Sequence, residues 1–121
     1  KNLQDVISSS AHREIQLMLE EAMRDRVHDW KWEKIGNKNT RVLKGAMGVL
    51  DQIMDKQSLE AEDIVKHLHK LMTEGRLHLP DAELSKLIIS LAKCEVAIQK
   101  TSQPRIELEK FLIDVAEISK Q

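Results

Sequence analysis

His67 and His69 are the close histidine pair of this chain, and their spacing argues against a shared metal ion. On a helix a two-residue step points them to different faces, whereas paired ligands sit at i and i+4. Asp63 and His67 do have that step, but two ligands do not make a metal site. Solvated or half-buried histidines are the expectation. Cys94 is the single cysteine. It falls on or beside an apolar helical stripe, where a thiol behaves as a small inert hydrophobe. The acidic pairs Glu20-Glu21 and Glu107/Glu109 lie three or four positions from basic residues, as exposed helical faces do. The sequence has no Gly-rich phosphate loop and no G-x-S-x-G elbow. It therefore predicts no catalytic, metal-binding or cofactor-binding residue, no cofactor and no enzyme chemistry.

Binding chemistry is better represented. Trp30 and Trp32 bracket Lys31 in a chain whose only other aromatic is Phe111. One reading has them capping the core at a helix–helix corner. Another makes them an exposed partner-binding knob, since tryptophan is enriched at interface hot spots. A third is stacking on a nucleic-acid base. Trp30, Lys31, Lys34, Lys38, Arg41 and Lys44 form the locally basic region. That is a salt-laced surface, or a corner that meets a nucleic-acid backbone or an acidic partner.

The elements that carry these residues read as helices. Apolar residues recur at helical spacing from Ala11 through Ile15, Met18, Leu19, Ala22 and Met23, predicting a helix over 11–28 with Ser10 as N-cap. Asp25 to Asn39 is the least regular stretch, with Ile35-Gly36-Asn37 reading as a helix stop and turn. A second helix is expected after Asn39 or Thr40, with Leu43, Ala46, Met47, Leu50, Ile53 and Met54 inward. Gly45 and Gly48 sit inside that expected helix. Each costs about 1 kcal/mol there relative to alanine, which points to close approach of another helix. Ser58 is the expected cap of a third helix carrying Ala61, Ile64, Val65, Leu68, Leu71 and Met72 and stopping at Gly75. Asp81 caps a long fourth helix reaching about Thr101. Ser102 or Gln103 caps the fifth, whose first turn holds Pro104, where a missing N–H is harmless. Residues 1–10 read as a linker or frayed N-terminus, and 11–121 as one domain.

Totals agree with this. The 121 residues suit a single core, with 41% hydrophobic and 32% charged residues. Scarce aromatics disfavour a sheet. A net charge of −1 argues against a dedicated nucleic-acid-binding domain. One cysteine fits a reducing compartment, so the cytoplasm is expected, or the nucleus in a eukaryote. No run of about eighteen apolar residues is present, so no transmembrane segment and no membrane partner are expected. The start at Lys1 rather than Met suggests a processed product or an excised domain.

From Thr40 onward, the order of features resembles the C-terminal collar domain of clamp-loader ATPases, most closely the replication factor C small subunit. The phrases are RVLKGAMGVLDQIM, then SLEAEDIVKHLHKLM after a short link, then Pro80 and a long helix. The I-x-L-E-x-x-L phrase of the last helix stands here as Ile106, Leu108, Glu109 and Leu112. Bacterial gamma/tau subunits share this collar architecture, and Pro104-Arg105 is similar to theirs. Where the family has a short link between its first two collar helices, this chain has Asp25 to Asn39.

The resemblance implies an all-α, single-domain, collar-like bundle of about five helices. It implies oligomerisation with other clamp-loader subunits in a ring. ATPase domains outside this chain would then engage DNA and the sliding clamp. By the same analogy the exposed face of the last two helices meets a neighbouring collar. Ile106, Leu108, Leu112 and Val115 are expected to hold the domain together. Arg105, Glu109 and Lys110, with Trp30 and Trp32, are the candidate partner-binding residues. A stand-alone helical adaptor and a helical nucleic-acid-binding domain are the rival readings.

Overall fold

A computed structural model describes residues 9–74, 77 and 79–120. Within them the chain runs α1 (Ser9–Met23), β1 (Asp29–Ile35), β2 (Lys38–Lys44), α2 (Gly45–Lys56), α3 (Ala61–Thr73), α4 (Asp81–Lys100) and α5 (Pro104–Ser119). The five expected helices are present and form the bundle. Residues 1–8 of the expected linker, and the stop placed at Gly75, lie outside the described residues. The helix already includes Ser9 and Ser10, so Ser10 is not its N-cap.

Helix α1 is the hub, packing against α2, α3 and α5. Its Ala11, Ile15, Met18, Leu19 and Ala22 are buried, as the spacing predicts. It ends five residues earlier than expected, at Met23. The cause is a Schellman turn. The Arg26 N–H donates to the Glu21 carbonyl at 2.9 Å and the Asp25 N–H to the Ala22 carbonyl at 3.0 Å. Asp25 occupies the left-handed position at φ +62°, a place where glycine is usual and aspartate is tolerated.

The stretch read as irregular is an antiparallel hairpin. Asp29 pairs with Lys44, Trp30 with Leu43, Trp32 with Arg41 and Ile35 with Lys38. Gly36 and Asn37 make a two-residue turn with Gly36 at φ +63°, the first-position geometry a type II′ turn requires. The second helix therefore begins at Gly45, and neither Asn39 nor Thr40 caps it, because both are paired in β2.

Gly45 and Gly48 do answer to close packing, but of strand and loop backbone. A Cβ on Gly45, which sits at φ +77°, would lie 2.3 Å from the Arg26 carbonyl oxygen. A Cβ on Gly48 would lie 2.3 Å from that of Leu43. The first N–H groups of α2 are satisfied by this approach. Ala46 donates to Arg26 O at 2.8 Å and Met47 to Val27 O at 3.0 Å.

Helix α3 starts at Ala61, with Ser58 in the preceding link at φ +55° and not at the cap. Glu62 and Asp63 occupy its first turn, where the helix dipole favours anions. Helix α4 starts at Asp81 after Pro80 as N-cap. Helix α5 has Gln103 as N-cap and Pro104 at its start, as expected. Leu108, Phe111, Leu112, Val115 and Ala116 of α5 close the core together with Leu87, Leu91, Cys94 and Ile98 of α4. Each fully buried leucine or isoleucine contributes about 1.5–3 kcal/mol.

Candidate functional site

His67 and His69 are not brought together. His69 is exposed, while His67 is buried and bonds through Nε2 to His12 Nδ1 of α1. The two rings meet edge to face with centroids 4.6 Å apart. Sequence reasoning missed this pair because 55 positions separate its members. Among the described residues, no group of three histidine, cysteine or acidic side chains is placed to hold a metal.

Cys94 is buried and its thiol donates to the Glu107 carbonyl at 3.4 Å. Burial, reinforced by the negative charges of Glu107 and Asp114, pushes its pKa up from 9.0 to about 12. It is a thiol, not a thiolate, at neutral pH. That is the opposite of what a nucleophile needs.

The candidate partner-binding residues fall into two places. Trp30 and Trp32 lie on β1 and are 51% and 71% exposed. They do not cap the core. A two-residue step along a strand keeps them on one face. Strand alternation splits the basic region that the sequence presents as one. Lys34, Asn39, Arg41 and Leu43 share the tryptophan face, by the pairing Lys34–Asn39, Trp32–Arg41 and Trp30–Leu43. The Arg41 guanidinium lies over the Trp30 ring, 4.8 Å from its centroid. Asp29, Lys31, Glu33, Lys38 and Lys44 occupy the other face. There Lys31 pairs with Asp29 at 3.7 Å and Lys44 with Glu33 at 2.9 Å.

Arg105 and Glu109 belong to a cluster within the domain. Arg105 pairs with Asp51 of α2 and, at 3.2 Å, with Glu109 one turn along α5. Lys110 is exposed and lines the groove between α4 and α5 with Lys93, Glu107 and Asp114.

Ile106 reverses its expected role, being 55% exposed, although the sequence placed it inside. On α5 it sits almost opposite Leu108 and Val115, and Ile113, one heptad on, shares its face. Helix α4 shows the same arrangement, with Ile89 and Val96 both about half exposed. The two helices are antiparallel neighbours. The Ser90 Oγ–Asp114 bond at 3.1 Å and the Cys94–Glu107 contact set their register. Ile89 is thus level with Ile113, and Val96 with Ile106. The signal was in the sequence, as a second apolar seam on helices whose first seam already fills a core.

The outward features of this helical domain are an apolar α4–α5 face and an aromatic, basic hairpin. A family model of the replication factor C C-terminal domain matches residues 13–114, and the chain belongs to that family. It is a clamp-loader C-terminal domain, the helical and non-catalytic collar part. Neither the curated proteins nor the solved structures provide a match.

Proposed function

We infer that this chain is the oligomerisation collar of a DNA-replication clamp-loader subunit. Its neighbours are other subunits of the same loader, packed side by side into a ring. The ring holds ATPase domains, which lie outside this chain, in position to load a sliding clamp onto DNA. The chain itself hydrolyses nothing. Its setting is the cytoplasm, or the nucleus in a eukaryote.

The observation that supports this reading is the second apolar seam of α4 and α5. Ile89, Val96, Ile106 and Ile113 are each between 44% and 56% exposed, while the opposite faces of both helices are packed. A monomer gains nothing by holding two level pairs of aliphatic side chains in water. An interface does, with Lys93 and Lys110 in the groove between the two apolar pairs as its polar contacts.

Sedimentation of the chain with other clamp-loader subunits tests the reading. Val96→Asp combined with Ile113→Asp puts two charges into the proposed contact while leaving the core untouched. Co-sedimentation is expected for the unaltered chain and not for the double variant, whose helical content should be unchanged. A double variant that assembles like the parent removes α4–α5 as the interface. A helical adaptor is the alternative outcome if the parent binds no clamp-loader subunit.

A further inference from the structure

We propose that the tryptophan face of the β1–β2 hairpin is a binding platform for single-stranded nucleic acid. The α4–α5 interface does not enter this inference, which rests on three features of the hairpin alone.

The first is charge sorting. The hairpin carries two carboxylates, Asp29 and Glu33, and strand alternation puts both on the face away from the tryptophans, each paired with a lysine. The tryptophan face holds Lys34 and Arg41 and no carboxylate, so it presents two positive charges in a chain of net charge −1. That polarity selects an anion.

The second is open aromatic surface. Trp32 is the most exposed large hydrophobic residue described, at 71%, and Trp30 follows on the same strand face at 51%. Their exposure comes from the fold. The core is filled by the helices, and only Leu43 of the hairpin's tryptophan face packs against it. An acidic peptide would use the charges and leave the indoles unexplained. Nucleobases use both, since every base has a face to stack and every nucleotide a phosphate to pair.

The third is spacing. Two residues of strand separate the indoles by about 6.7 Å. That is about twice the 3.4 Å step of a stacked strand, so the platform fits bases splayed from a single strand. In a duplex the base faces are already covered. Arg41, opposite Trp32 in the ladder, lies over one face of the Trp30 ring, which puts a cation on the platform and leaves that ring one face to stack.

The chain contains two tryptophans and no tyrosine, so its long-wavelength fluorescence reports on this hairpin alone. Titration with a short oligothymidylate should quench that emission saturably. With two phosphates contacted, affinity should fall about sevenfold between about 50 and 200 mM salt. Trp32→Ala, read through the remaining Trp30, should weaken binding by about five- to a hundredfold. Arg41→Gln should flatten the logarithmic salt dependence by about 0.7. Lys38→Ala, on the opposite face, should change little. Far-UV circular dichroism confirms that each variant keeps its helices. Absence of quenching at the lower salt overturns the proposal. So does polyglutamate binding as tightly as the oligonucleotide, which would make the partner an acidic polypeptide. A Trp32→Ala chain that binds like the parent overturns it as well.

Discussion

Replacing Gly48 with alanine sets two opposed effects against each other at one atom. Helix propensity favours alanine by about 1 kcal/mol at an interior helical position. Gly48 lies in the first turn of α2 and has no positive φ, so helix propensity taken alone predicts stabilisation. The structure predicts the reverse. The new methyl carbon would sit 2.3 Å from the Leu43 carbonyl oxygen, more than 1 Å inside ordinary contact, which begins at 3.4 Å. That neighbour is backbone and has no rotamer to swing away. Relief requires moving the end of β2 off α2, and overpacking of this kind costs about 1–3 kcal/mol. With the propensity gain offset, a net loss of up to about 2 kcal/mol is expected. Leu43 pairs with Trp30, so the displacement reaches the hairpin. Urea unfolding should be followed in parallel by far-UV circular dichroism and by tryptophan fluorescence. The first reads the helices and the second the hairpin. Both midpoints should fall, and fluorescence should change in the native baseline. An alanine variant with a raised midpoint on both probes would refute the packing argument.

Two further perturbations test the inside and outside of the last helices. Leu112→Ala removes a fully buried side chain and should cost about 2–5 kcal/mol in denaturant unfolding, whereas half-exposed Ile113→Ala should stay within about 0.5 kcal/mol. Equal losses at the two positions would mean the face of α5 is misassigned. For Cys94 the folded pKa, about 12, lies above the ordinary 9.0. The unfolded chain therefore loses this proton first as pH rises. The thiol's contribution to stability is complete below about pH 9 and lost between there and about pH 12. Alkaline unfolding should ease when Cys94 is replaced by alanine, relative to that variant's own neutral stability. Thiol reagents at neutral pH should label the native chain only after denaturant is added.

The helices were legible because their evidence is local and repeated. Ile15, Met18, Leu19 and Ala22, or Leu108, Leu112 and Val115, state a period of 3.6 that any core-facing helix must obey. The hairpin was missed because composition is an average. Scarce aromatics disfavour a sheet over the whole chain, yet two of the three stand two apart in one strand. Thr40 and Val42 stand in the other, and Gly36-Asn37 lies between them. A two-residue Gly-Asn link between alternating runs is a hairpin signal that a helical expectation overrode. The exposed seam was illegible for another reason. Ile106 obeys helical spacing as well as Leu108 does, and spacing alone does not say which of two apolar faces the rest of the domain covers. The imidazole pair of His12 and His67 and the Asp51–Arg105–Glu109 cluster need the third dimension altogether.

The joint between the hairpin and the bundle decides what the hairpin's residues are for. Asp25 in the left-handed conformation turns the chain out of α1, and Gly45 in the same conformation turns it back into α2. Between them Arg26 and Val27 lend their carbonyls to the first N–H groups of α2, so the two helices are tied together by backbone beneath the hairpin. The sixteen residues from Asp29 to Lys44 thus stand where the family resemblance expects a short link, while α1 and α2 pack against each other. The core constrains Leu43 and asks little of Trp32, Lys34 or Arg41. Side chains released from the core by such a joint answer to solvent or to a partner. An isolated two-stranded hairpin is marginal in water, and two indoles on its open face do not suit solvent. A surface that is costly to expose and sorted by charge is better explained by what binds it than by the fold that carries it.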